Sequence, residues 1–436
     1  MDMKRMLLCF AALVLSLTFG KVSAEDGSRL WLRMQANDKP ADVRLSLWYD
    51  GCGTVEPSPT IEKALDELRH YWHGEPVIME ADIGPLHWKR GDDGFTLSRN
   101  DEGSLLLKAH GHDVGLLYGA FYLLRLQETG QPVTPIEEHP CFRLRILNHW
   151  DNPDGSIERG YAGNSIFWND DLTFDADLIT QYARANASIG INATVLNNVN
   201  ASPKMLTRPY LNKVKEIADL LRPWGIRVYL SVNFGSPKAL GATKTADPLD
   251  KQVQRWWKDK AKEIYQLIPD FGGFLVKANS EGQPGPFDYG RTHADGANML
   301  ADALKPYGGI VMWRSFVYGA KHKGEDRVKQ AVSEFAELDG QFRDNVILQS
   351  KNGPLDFQPR EPYAPIFDQM KQTSLMAELQ ITQEYLGHST HLVFLAPMWK
   401  EFFSYVDPGC LKGIAGVANI GLDRNWCGHH FAQANW

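Results

Sequence analysis

Cysteine is scarce in this chain: five in 436 residues, with no C-x-x-C pair among them. That is too few for a disulfide-built scaffold, and it lacks the spacing of a cysteine zinc site. Long Lys/Arg runs are missing too, and acidic residues outnumber basic ones, 53 against 46, for a formal charge of −7. Without the first 24 residues the balance falls to −9, because that segment holds Lys4, Arg5 and Lys21 against Asp2. Such a chain suits neither nucleic acid nor an anionic membrane as partner. Beyond the N-terminus no stretch is apolar enough to cross a bilayer. What is there, 43% hydrophobic and 23% charged residues, excludes disordered, collagenous and coiled-coil classes. The length predicts two or three domains.

Residues 1–24 read as a secretory signal peptide. Lys4 and Arg5 precede an apolar run over 6–19, and Val22-Ser23-Ala24 is a small-x-small cleavage pattern, with the cut expected after Ala24. The run is short for an uncleaved anchor, the rival reading. A secreted or periplasmic protein is expected. Cys52, Cys141, Cys410 and Cys427 then remain, read as free or individually buried, with a Cys410–Cys427 pair left open.

Residues 25–139 mix short strand-like runs (30–33, 43–48, 77–80, 104–109) with helical stretches over 60–68 and 114–126. Thr60 is the expected N-cap of the first helix, with Glu62 in its first turn. This predicts a small α+β domain, and residues 131–140, with Pro132, Pro135 and Pro140, read as a linker. From residue 140 onward the rhythm becomes strand-then-helix. Strand candidates fall at 144–149, 193–197, 227–232, 273–277, 309–313, 346–349, 376–381 and 414–420, with helices such as 212–221, 251–268 and 327–338 between them. Eight such units in about 290 residues match a (β/α)8 TIM barrel. The rival, a doubly wound open sheet, often brings a Gly-rich phosphate loop, and no G-x-G-x-x-G follows the first strand here. The fold class expected is α/β, a (β/α)8 barrel over 140–436 preceded by the small α+β domain.

In such a barrel the active site lies at the carboxyl ends of the strands. Those ends carry, in order, Trp150, Asp151 and Asn152; Asn197 and Asn198; Asn233; Asn279 and Glu281; Arg314; Lys351, Asn352 and Asp356; Gln383 and Glu384. Amides, carboxylates and cations pair with hydroxyls and aromatic rings stack on sugar faces, so this is a candidate sugar-binding mouth. Glycoside hydrolysis needs two carboxyls, and Glu281 on strand 4 is set opposite Asp356 and Glu384 on strands 6 and 7. Any single carboxylate is more often bridged to an arginine, and a salt bridge to Asp356 or Glu384 in the empty barrel is the alternative role for Lys277 and Arg314, compatible with binding an anionic substrate. The sets His110-x-His112 and Glu384-x3-His388-x2-His391 could be drawn as metal sites, but the patterns are weak, and neither is read as one. Gly428-His429-His430 reads as loop or core.

Several runs together resemble the family 67 α-glucuronidases: Ile146-Leu147-Asn148-His149-Trp150-Asp151-Asn152, Lys277-Ala278-Asn279-Ser280-Glu281-Gly282-Gln283-Pro284, Lys351-Asn352-Gly353-Pro354-Leu355-Asp356, Gln380-Ile381-Thr382-Gln383-Glu384-Tyr385-Leu386-Gly387 and Leu395-Ala396-Pro397-Met398-Trp399. The resemblance implies an exo-acting, inverting hydrolase that releases α-1,2-linked glucuronic acid or its 4-O-methyl ether from the non-reducing end of xylo-oligosaccharides. It implies Glu281 as general acid, Asp356 and Glu384 as the pair that holds and deprotonates water, Lys277 and Arg314 as uronate ligands, and Trp150 as an aromatic wall. It implies no cofactor and no metal. The family chain continues past the stretch matching 428–436, into the rest of the last helix and a helical domain that helps form a dimer. A truncated, impaired fragment that at best binds sugar is therefore one alternative, with the dimer lost. A retaining barrel hydrolase with Glu384 as nucleophile is another, although such enzymes often carry Asn directly before the strand-4 acid, where Ser280 stands here.

Overall fold

A computed structural model of the chain describes residues 30–48, 56–82, 92–158, 163–316, 325, 327–352, 363–381, 396–418, 420 and 421. The signal segment, Cys52, Cys427, Asp356, Gln383, Glu384, His388, His391 and His429 lie outside the described residues. Two sheets organise the rest. The first has five strands in the order β1-β2-β4-β3-β5: β1 (Val43–Trp48), β2 (Val77–Asp82), β3 (Phe95–Arg99), β4 (Leu105–Ala109) and β5 (Ile136–Glu138). β1, β2 and β4 are parallel, while β3 runs antiparallel to β4 and to β5.

Among the described residues two helices accompany this sheet, α1 (Pro59–Tyr71) and α2 (Val114–Glu128). The N-cap of α1 is Ser58, whose hydroxyl accepts from the Ile61 amide, and not Thr60 as expected. Pro59 explains the shift: its fixed φ and missing N–H suit the first helical position, so the helix starts two residues earlier. Ile61, Ala64, Leu65 and Leu68 form its buried stripe. α2 is buried on nearly every side because it lies between the small sheet and the barrel's outer helices.

Two further expectations fail in this region. Residues 30–33 form no strand; Leu32 and Met34 are buried without ladder partners, and Trp31 donates its indole N–H to Ser188 at 2.8 Å. Alternating apolar residues there meet the need for burial alone. The supposed linker contains β5, an edge strand whose three residues pair with β3, and flanking prolines are tolerated at such an edge.

The second sheet is a closed barrel of eight parallel strands: β6 (Leu144–His149), β7 (Ala193–Val195), β8 (Arg227–Ser231), β9 (Gly273–Val276), β10 (Ile310–Arg314), β11 (Val346–Lys351), β12 (Ser374–Gln380) and β13 (Leu411–Ala418), with β13 pairing β6. Each expected barrel strand is present within a few residues. Ile146, Val195, Tyr229, Leu275, Met312, Ile347, Met376 and Ala415 fill the interior, one from each strand. Tyr229 fits only because Gly272 has no side chain: a Cβ there would lie 2.1 Å from the phenol ring. Helices α3 (Ala176–Ser188), α4 (Arg208–Leu221), α5 (Lys251–Leu267), α6 (His293–Leu304) and α7 (Arg327–Phe335) follow β6 to β10, a single turn over Ile366–Gln369 follows β11, and α8 (Ala396–Tyr405) follows β12. Among the described residues, no helix is long and apolar enough to cross a membrane. Cys141 and Cys410 are free, exposed thiols, in keeping with the reading of the cysteines as free or individually buried.

Candidate active site

The strand ends of the barrel gather buried cations. Lys277 follows β9 directly, Arg314 ends β10 and Lys351 ends β11, and all three are buried. Parallel strands deliver successive terminal residues to one rim, which is why three consecutive strands can build a single positive floor. Lys277 donates to Glu281, and to Asn200 Oδ1 at 2.7 Å. Asn200 in turn donates to Glu158 at 2.8 Å, and Asn198 donates to the same carboxylate oxygen at 2.7 Å. Burial, then the neighbouring Arg314 charge, depress the Lys277 ammonium below its ordinary pKa, against the opposing pull of Glu281 and Glu158.

Arg314 meets a carboxylate that the rim-by-rim sequence reading passed over. Glu378, inside β12, takes both ends of the guanidinium fork, at 2.8 Å to Nε and 2.6 Å to the terminal nitrogen, and accepts from Gln349 at 2.6 Å. Burial alone would raise the Glu378 carboxyl; the Arg314 charge and hydrogen bonds, with Lys351 and Gln349, hold it below its ordinary value. Within the described residues Arg314 pairs with Glu378 and Lys277 with Glu281, while the bridges to Asp356 or Glu384 raised by the sequence fall on positions outside the described residues. The available signal for Glu378 was a lone acid in the run Leu375-Met376-Ala377-Glu378-Leu379, since a charge in a strand buried on both faces needs a partner. Lys351 also lies over the Phe316 ring, 3.4 Å from its centroid.

Glu281 stands on a tightly shaped loop. Its side chain is 44% exposed, against 1% for Lys277, so the carboxyl faces the open mouth while its partner lies in the wall. Asn279 and Glu281 both adopt left-handed backbone conformations, φ 50° and 49°, which cost energy in residues with a Cβ. The loop is held by Asn279, which donates to Asp288 at 3.0 Å and accepts from the Phe287 amide at 3.0 Å, and by Asn233, which donates to Gln283 at 3.1 Å. Two of the expected sugar-binding amides thus hold the scaffold. So does Asn197, whose amide group is tied to the Ser231 main chain by two 3.0 Å bonds.

The end of β6 is different. Trp150 packs with Val417 and Trp399 as an aromatic wall. Both side-chain atoms of Asn148, Nε1 of Trp150 and Nε1 of Trp399 are buried without a hydrogen-bond partner among the described residues. Buried polar groups are nearly always satisfied, so a cluster of orphans at a barrel mouth marks a surface shaped for a polar ligand. Asp151 accepts from Ser165 and is otherwise encased; burial pushes its carboxyl up to about 8, while burial pushes His149 down to about 3.

The chain's similarities agree with this architecture. The model of the glycosyl hydrolase family 67 middle domain matches residues 125–408. Alpha-glucuronidase A of Emericella nidulans is 47% identical, over 79% of this chain and 44% of its own length. The alpha-glucuronidase of Hypocrea jecorina is 44% identical, again over 79% and 44%. The chain thus spans about half the length of the curated relatives it matches. Among solved structures, the chitobiase of Flavobacterium johnsoniae superposes with a TM-score of 0.51 at 14% identity, covering 88% of this chain and 64% of that one. A family GH115 4-O-methyl-alpha-glucuronidase gives 0.50 at 12%, covering 87% and 54%. At those identities the likeness concerns the fold alone. The family match extends over the cationic rim, Glu281 and the β6 terminus, and the chain belongs to glycoside hydrolase family 67.

Proposed function

We propose that this barrel hydrolyses α-1,2-linked glucuronic acid, or its 4-O-methyl ether, from the non-reducing end of xylo-oligosaccharides, with inversion, in a secreted or periplasmic protein. The observation that carries the reading is the row of buried cations Lys277, Arg314 and Lys351 next to the mouth-facing carboxyl of Glu281. A neutral sugar gives no reason to bury three cations at one rim; a uronate does, and a guanidinium or ammonium is its natural counter-charge. Trp150 and Trp399 supply an apolar wall for a ring face, and the orphaned amide of Asn148 a partner for hydroxyls.

In this mechanism Glu281 is the general acid. It gives its proton to the glycosidic oxygen as the bond from that oxygen to the anomeric carbon breaks. Water attacks the opposite face and loses its proton to the carboxylate pair assigned to Asp356 and Glu384. In the empty site Glu281 is ion-paired with Lys277. A bound uronate competes for that ammonium and so frees the Glu281 carboxyl to carry the proton it must donate. Substrate charge then does more than anchor: it prepares the acid.

The test pairs a leaving-group comparison with stereochemistry. Glu281→Gln should lose at least about a hundredfold in kcat/KM on an aldouronic acid, whose leaving oxygen needs protonation, and far less on an aryl α-glucuronide. Proton NMR of the wild-type reaction should show β-glucuronic acid first. Equal losses on both substrates would remove Glu281 from the acid role, and first appearance of the α anomer would replace inversion with a covalent route.

A further inference from the structure

Far from the barrel mouth, three ligand-bearing side chains converge at one end of the small sheet. Asp92 precedes β3, His110 follows β4 and His139 follows β5, so neighbouring strand ends deliver one residue each. Asp92 Oδ2 and His139 Nδ1 are 2.7 Å apart, and Asp92 Oδ1 and His110 Nδ1 are 3.6 Å apart. One donor atom from each residue lies within 4.8 Å of the others. The two imidazoles face each other with centroids 4.4 Å apart.

The surroundings favour a cation between them. Nδ1 of His110 is buried and has no hydrogen-bond partner among the described residues, although a carboxylate oxygen stands opposite. Its other nitrogen, Nε2, lies 2.7 Å from the Thr96 hydroxyl. With the Nε2 proton given to Thr96, the Nδ1 lone pair points toward Asp92, as it does in a histidine oriented for a metal by its outer partner. His139 repeats the pattern, Nε2 lying 3.2 Å from Glu137 and Nδ1 turned inward. The space itself is kept by a glycine: a Cβ on Gly94 would lie 2.7 Å from both Asp92 Oδ1 and His110 Nδ1.

We propose that Asp92, His110 and His139 bind a divalent transition-metal ion, zinc by donor type, with solvent completing the shell. Two imidazoles and one carboxylate suit zinc. In a tetrahedral zinc site donor atoms stand about 3.3 Å apart, given metal–ligand distances near 2.0 Å. The observed pairs, 2.7 Å from Asp92 Oδ2 to His139 and 3.6 Å from Asp92 Oδ1 to His110, lie on either side of that value, and turning the Asp92 carboxylate together with the half-exposed His139 ring presents one oxygen to both imidazoles. His112, the other half of the H-x-H pair, takes no part in the site: it bonds Asp93 at 2.7 Å instead. Bound metal pins the edge strand β5 to β3 and β4. It also sits one residue from Asp93, which holds Arg145 of the first barrel strand at 2.7 Å, so the ion strengthens the seam between sheet and barrel.

The test uses the untagged full chain, stripped with a chelator and titrated with zinc, and with cobalt as a spectroscopic substitute. Because the chain has 13 histidines, the readout is a difference between variants. The wild-type chain should retain one zinc through gel filtration, show a tetrahedral cobalt band and melt several degrees higher with zinc, the shift growing with the logarithm of its concentration. His139→Ala, at a half-exposed position that folding tolerates, should lose the band and at least tenfold in affinity. Thr96→Val should bind about 10–100-fold more weakly while keeping all three ligands. Equal zinc retention and equal melting shifts in wild type and His139→Ala would overturn the proposal, as would no retention by the wild type.

Discussion

Asp151 and His149, next-but-one neighbours at the end of β6, are buried ionisable groups that both stay neutral at pH 7 for opposite reasons of sign. Burial raises the Asp151 carboxyl from 3.8 to about 8, the Ser165 hydroxyl opposing it only in part, and burial lowers the His149 imidazole from 6.5 to about 3. The consequences for stability have opposite slopes. Asp151 binds its proton more tightly folded than unfolded, so its contribution is complete below pH 3.8 and is lost as pH rises toward 8. His149 binds its proton less tightly folded, so its contribution is present above pH 6.5 and is lost as pH falls toward 3. Between these bounds the two cancel in part below about pH 6.5, and only Asp151 acts from there to about pH 8. In that upper window wild-type stability should fall with a slope of up to about 1.4 kcal/mol per pH unit from this group. Asp151→Asn, which keeps the shape and removes the titration, should flatten it. Urea unfolding midpoints across the window read the difference, and a slope unchanged in the variant would mean that Asp151 is already ionised in the native state.

The loop after β9 shows what the element scale adds to a residue list. Glu281 is aimed by its neighbours more than by its own side chain. Asn279 anchors the turn to Phe287 and Asp288, and Gly285 lies against that amide so closely that a Cβ would be 2.0 Å from Asn279 Oδ1 and 2.6 Å from Asn279 N. Gly285→Ala should therefore move Asn279 and, with it, the carboxyl of Glu281. A displacement of about 1 Å at a reacting group can cost a hundredfold, so kcat/KM on aldouronic acid should fall by roughly that factor, while circular dichroism shows the barrel still folded. Unchanged turnover would mean the loop yields without moving Glu281. Much of this element was legible in the sequence: the Lys277-to-Glu281 spacing past a strand put cation and carboxyl at one rim. The pairing of Arg314 with Glu378 was not, because a reading of strand ends overlooks a side chain that reaches the same mouth from inside the next-but-one strand. Nor were β3 and β5, since strands of three to five residues carry too few side chains for alternation to stand out, and their pairing is decided by the sheet they join.

At the scale of the whole molecule, small sheet and barrel share one apolar core that runs from Val43 and Ile61 through Phe121 to Trp224 and Ile226. The rhythm of strands and helices announced the two architectures but not their joint, because docking depends on pairs more than a hundred residues apart. The central pair is Glu67 of α1 with Arg184 of α3, both buried, with the second guanidinium bond at 2.8 Å and the Tyr71 ring 4.9 Å from the guanidinium carbon. Here the desolvation of two charges is offset only while both are present. Glu67→Ala should destabilise the chain by roughly 3–5 kcal/mol, because it strands a buried guanidinium. The double variant Glu67→Leu/Arg184→Met should recover most of that loss, since apolar residues of similar volume can replace a buried ion pair at little cost. Because the core is continuous across the seam, unfolding in every variant should remain a single transition by both circular dichroism and tryptophan fluorescence. A double variant as unstable as Glu67→Ala would show that the charge pair holds the seam by more than mutual neutralisation. Two separated transitions in the wild type would show that the shared core does not couple sheet to barrel.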